Sequence, residues 1–78
     1  MATVNYKDIP MRGVVSSTIS SIGYQEGVLK VRFNNGGTYI YTNVQESDYK
    51  YLILEESVGK AFNATIKNNP AHLCLKVE

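Results

Sequence analysis

Apolar and polar residues alternate most regularly in the middle of the chain. Leu29, Val31 and Phe33 recur at period two with Lys30 and Arg32 between them, and Tyr39-Ile40-Tyr41 resumes the alternation after Asn34-Asn35-Gly36-Gly37. Period two is the signature of a strand with one face buried, and an Asn-Gly turn between two such runs predicts a tight hairpin. A loop of two or four residues centred on Asn35-Gly36 pairs Phe33 with Thr38, Arg32 with Tyr39, Val31 with Ile40, Lys30 with Tyr41 and Leu29 with Thr42. Leu29, Val31, Phe33 and Ile40 then face the core, and Arg32 and Lys30 lie beside Tyr39 and Tyr41 on the other face.

The flanking segments extend this into a three-stranded meander. Residues 14–24, rich in Ser, Thr and Ile, favour a strand. Ile19 and Ile22 have opposite parity there, so both reach the core only across a bulge or twist. Gln25-Glu26-Gly27 turns the chain, with Gly27 as the positive-φ residue. Residues 1–13, punctuated by Pro10 and Gly13, read as a loop or edge strand.

After Val44 the period becomes helical. Tyr49, Leu52, Ile53 and Glu56 predict a helix over 45–56, with Asn43 and Glu46 in capping-box spacing at its start. Ser57 caps a second helix whose apolar stripe is Val58, Ala61, Phe62, Thr65 and Ile66, and Asn68-Asn69-Pro70 stops it. Alternation returns in the tail, with Leu73, Leu75 and Val77 on one side and His72, Cys74 and Lys76 on the other, as a fourth strand or an arm on a neighbouring subunit. The expected fold is α+β: a small antiparallel sheet of three to four strands with two short helices on one face.

Composition narrows what such a fold can do. With 78 residues, one domain with a modest core is expected, and small domains of this kind often gain stability by self-association, so a homo-oligomer is expected. A formal net charge of +1 supplies no general attraction for a polyanion, and any nucleic-acid or nucleotide binding must come from a local patch. The one cysteine, Cys74, cannot close an internal disulfide. With no apolar run long enough to span a membrane and no signal-peptide pattern at the N-terminus, the expected location is cytoplasmic, without membrane contact.

Two groups of residues carry candidate chemistry. Tyr39 and Tyr41 with Lys30 and Arg32 form an aromatic and basic strand face, on which bases stack and phosphates pair; the same residues also serve as ordinary exposed strand formers. Ser57, Gly59 and Lys60 stand at a helix start, where free N–H groups favour an anion, with Asn63 as a specificity group; Ser57 as a plain cap and Gly59 as a turn residue explain the motif equally. His72 and Cys74 alternate on one face but are too few for a zinc site, and Glu55 and Glu56 point apart on a helix. No metal, cofactor or catalytic residue is expected.

The order Ser16-Ser17, Ile19, Ile22-Gly23-Tyr24, Gly27-Val28-Leu29-Lys30-Val31-Arg32-Phe33, Gly37, Tyr39-Ile40-Tyr41, Val44, Tyr49, Leu52 and Ser57-Val58-Gly59-Lys60-Ala61-Phe62-Asn63 with Ile66 resembles the KTSC domain. That small module is named for its place at the C-terminus of some lysyl-tRNA synthetases, and also stands alone in bacteria and phages. Gln45 replaces a frequent proline and Ala61 a frequent aromatic residue. The resemblance places a domain at 13–69, an extension at 1–12 and a terminal strand or arm at 70–78. It implies a non-catalytic RNA-binding or nucleotide-binding role. Two alternatives stand beside it: an anti-defence protein that acts as a phage-type sponge for a cyclic-nucleotide immune signal, and a protein-interaction or assembly module in which Tyr6, Tyr24, Tyr39 and Tyr41 meet a partner.

Overall fold

A computed structural model describes residues 6–55, 57–67 and 72–77. A short 3-10 turn at Tyr6–Asp8 precedes strands β1 (Arg12–Gly13), β2 (Ile19–Gln25), β3 (Val28–Phe33) and β4 (Thr38–Tyr41). Helices α1 (Glu46–Leu54) and α2 (Val58–Phe62) follow; α2 continues as a π-helical turn over Asn63–Lys67, and β5 (Cys74–Lys76) ends the series. The five strands form one antiparallel sheet in chain order. The architecture is therefore α+β, with one strand more than the three or four expected: the tail supplies the fourth strand, β5, and part of the N-terminal segment pairs at the other edge as β1. The expected helix stop at Asn68-Asn69-Pro70, and Glu56, lie outside the described residues.

The β3–β4 hairpin departs from the expected register, and the cause is loop parity. Phe33 N–H donates to Gly37 O at 2.9 Å and Gly36 N–H to Phe33 O at 3.0 Å, which leaves a three-residue loop of Asn34, Asn35 and Gly36. Gly36 takes the left-handed conformation, φ 98°, as such loops require at their last position. An odd loop shifts every pair by one residue, so Leu29 faces Tyr41, Lys30 faces Ile40, Val31 faces Tyr39 and Arg32 faces Thr38. Tyr39 and Tyr41 therefore share the core side with Leu29, Val31 and Phe33. Ile40, expected in the core, lies with Lys30 and Arg32 on the opposite face.

The other strand joints follow their sequence signals more closely. β2 begins only at Ile19, since Ser16 Oγ accepts from the N–H groups of Thr18 and Ile19 and holds the preceding residues in a turn. A register shift between Ile19 and Ser21 brings both Ile19 and Ile22 into the core. Glu26 and Gly27 both have positive φ, 46° and 86°, in the two-residue turn to β3.

The helices cover one face of the sheet. Asp48 Oδ2 accepts the Gln45 N–H at 3.2 Å, so the capping pair is Gln45 and Asp48, not Asn43 and Glu46; Asn43, at φ 59°, makes the turn before it. Tyr49 of α1 stacks on Tyr24 with ring centroids 5.4 Å apart. The Tyr24 hydroxyl donates to Val44 O at 2.7 Å and accepts from Gly27 N–H at 3.2 Å, tying the β2–β3 turn to the start of α1. Phe62 fills the centre, edge-on to Tyr41 at 5.2 Å and to Phe33 at 5.7 Å. Leu52, Val58, Ala61 and Ile66 complete this core.

The opposite face is only partly covered. Gly23 lies under the N-terminal segment, close to the Pro10 carbonyl, the Met11 sulfur and the buried Ile9 side chain. On β5, Leu75 pairs with Ile40 on this face and stays exposed, as does Leu73.

Candidate functional site

The change of register moves the tyrosines to a different set of neighbours. Phe33, Tyr39 and Tyr41 line a cleft of about 450 Å³ with Thr18, Asn35, Lys67 and Cys74. Each wall comes from a different element: Thr18 precedes β2, Asn35 tips the hairpin, Lys67 ends the π-helical turn and Cys74 opens β5. Phe33 and Tyr39 meet edge to face at 5.5 Å, and Phe33 leans in the same way on Phe62, so the floor of the cleft is an extension of the aromatic core. Across the sheet, Tyr39 pairs with Lys76 and Tyr41 with Cys74. The cations on the tyrosine side are thus Lys67 and Lys76, and Arg32 and Lys30 belong to the other face.

Tyr41 is the buried member of the pair. Its phenol is pushed well above the ordinary value of 10.0, first by burial, then by the hydrogen bond it shares with the Cys74 thiol and by the negative charges that Cys74 and Tyr39 would carry when ionised. Below about pH 10 the group is neutral in folded and unfolded chains alike and has no pH-dependent effect. Above that, the unfolded chain sheds the proton that the folded chain keeps, so stability falls as pH rises. Urea midpoints measured from about pH 8 to about pH 12 should decline less steeply in Tyr41→Phe than in the parent chain; equal slopes would rule this out.

The second candidate group is not gathered into an anion site. Ser57 Oγ accepts the Lys60 N–H at 3.4 Å, as a helix cap. Gly59 is buried, and a Cβ there would meet Ser16 Oγ at 3.3 Å and Thr18 Oγ1 at 3.6 Å, so this glycine admits the neighbouring loop and not a ligand. Ser57 and Lys60 border a separate hollow of about 370 Å³ with Tyr51, Ala61, Ala64 and Glu55, whose carboxylate opposes an anion. Asn63 is the exposed C-cap of α2, its N–H bonded to the Gly59 and Lys60 carbonyls.

Thr18, Asn35, Lys67 and Cys74 were missed as neighbours of the tyrosines. Only the parity of the tail, which put Cys74 and Lys76 on one side, contained a usable signal. His72 Nδ1 donates to Thr42 O at 3.1 Å, and no group of three or more His, Cys, Asp or Glu able to hold a metal occurs among the described residues. Among those residues no helix is long and apolar enough to cross a membrane.

Comparison with known proteins bears on the fold and the family. A protein of Tsukamurella paurometabola is 37% identical over 59 residues, covering 73% of this chain and 88% of that protein. The crystal structure of a KTSC domain protein from Yersinia pestis is similar at a TM-score of 0.83 and 33% identity, over 90% of this chain and 99% of that one. The KTSC domain model matches residues 15–69, and the chain belongs to the KTSC domain family.

Proposed function

We propose that this protein is a non-catalytic, cytoplasmic module that binds a nucleotide, free or as one unit of a single strand, in the Tyr39 cleft. The observation that carries this reading is the joining of an aromatic floor to a lysine rim in a concavity of about 450 Å³. That volume lies within the roughly 300–1,000 Å³ usual for small-molecule sites. A base stacked on an aromatic side chain gains about 1–3 kcal/mol, and Lys67 supplies a charge for phosphate. Among the described residues, no carboxylate lines the cleft. With a net charge of +1, a ligand needing one or two cations suits the chain better than a long polyanion.

Calorimetric titration with mononucleotides, cyclic dinucleotides and short single-stranded RNA tests the proposal. Tyr39→Ala is expected to weaken binding about tenfold or more, as loss of one stacking surface implies, with the circular dichroism spectrum unchanged. Undiminished affinity in that variant would remove the cleft from consideration. Preference for the cyclic compounds would favour the sponge reading, and preference for RNA a translation-related one. Self-association belongs to the same proposal, supported by exposed Leu75 on the edge strand β5 and exposed Leu73 just before it.

A further inference from the structure

The two asparagines of the hairpin loop are used differently. Asn34 Nδ2 donates to Ser16 O at 3.0 Å, which fastens the loop to the segment before β2. Asn35 instead lines the cleft, and its side-chain oxygen accepts the Gly37 N–H at 3.0 Å. Only the oxygen of an amide can accept from an N–H, so this bond fixes which way the group is turned. The two N–H donors on Asn35 Nδ2 have no partner among the described residues.

Gly37 brings this amide to the stacking surface. A Cβ at Gly37 would stand 3.2 Å from Tyr39 Cε1 and 3.4 Å from Asn35 Oδ1, so the tyrosine ring and the amide close together over a position without a side chain. Among the other polar groups of the cleft, Lys67 only donates, and the hydroxyls of Thr18, Tyr39 and Tyr41 can donate or accept as a ligand requires. A base lying on Tyr39 would meet the fixed N–H donors of Asn35 at its edge.

We infer that Asn35 is a specificity-determining residue, whose amide donors select nucleotides with a carbonyl oxygen on the base, such as guanine or uracil, over adenine. Guanine offers two adjacent acceptors, O6 and N7, and uracil its O4, whereas adenine sets one acceptor, N7, beside an amino donor; with the Asn35 oxygen already engaged by the Gly37 N–H, the amide donors match the first two better. This inference rests on the nucleotide-binding reading of the cleft.

The test is calorimetry with guanosine, uridine and adenosine 5′-monophosphates on the full chain. The first two are expected to bind about tenfold more tightly than the third, the size of a single well-placed base contact. Asn35→Ala should bring that ratio close to one. Asn35→Asp keeps an oxygen for the Gly37 N–H but replaces the donors by an acceptor, and should reverse the preference of uridine over adenosine; guanosine, whose N1–H and amino group suit a carboxylate, is not read in this variant. Because each variant is read as a ratio between nucleotides, a general effect of the new charge on phosphate cancels. Equal affinities in the parent chain, or a preference unchanged in both variants, would overturn the role of Asn35 and leave the cleft as a binding site. Failure of all three nucleotides to bind would overturn the cleft reading and the inference with it.

Discussion

Phe62→Ala is expected to cost about 3–5 kcal/mol, the usual range for emptying a buried aromatic site. Phe62 is 1% exposed and holds edge-to-face contacts with both Tyr41 and Phe33. Its loss would remove the link between α2 and the two central strands, and with it the support beneath the cleft. For a chain of 78 residues, total stability is on the order of 4–12 kcal/mol, so the variant should be marginal or largely unfolded at 25 °C. Phe62→Leu keeps most of the volume and should cost less than about 1.5 kcal/mol. Urea denaturation followed by circular dichroism gives both values. A loss under about 1 kcal/mol in the alanine variant would show that the site collapses around the gap, against the central role assigned to this ring.

Gly23→Ala should produce the second large effect, from one added methyl group. The new Cβ would fall on the Pro10 carbonyl oxygen, with the Met11 sulfur 2.9 Å and an Ile9 methyl 3.0 Å away. Backbone cannot step aside as a side-chain tip can, so either β2 shifts or the N-terminal segment lifts and exposes Ile9, at a cost of about 1–3 kcal/mol. Lifting would also uncover the peptide bonds around Lys7 and Arg12. Limited trypsin digestion should then cut the variant there well before the parent chain. Unchanged stability together with an unchanged cleavage rate would mean that the segment does not rest on Gly23.

These two positions were not equally visible before the structure. Phe62 belongs to a helical stripe with Val58, Ala61 and Ile66, and periodicity alone assigns it to the core. Gly23 sits inside a strand, where a glycine signals close approach but not what approaches; Ile9 and Pro10 are far enough away in sequence that no local rule joins them. The bulge near Ser21 was legible because two isoleucines of opposite parity cannot otherwise share a core. The cleft was legible in its tyrosines and not in its rim, since Lys67 and Cys74 reach it through a helix end and a tail strand whose placement depends on tertiary packing. The choice of Arg32 and Lys30 as neighbours failed for one reason: turn composition identified a hairpin but not whether its loop was even or odd.

That parity has a consequence for how the chain tolerates change. Removing or adding one residue between Phe33 and Thr38 would exchange the sides of β4, sending Ile40 to the aromatic floor and both tyrosines to the far side. A point substitution in the loop alters one contact, whereas a single-codon insertion or deletion rewrites the whole strand at once. Length variation is therefore forbidden in this loop, where point substitution is not.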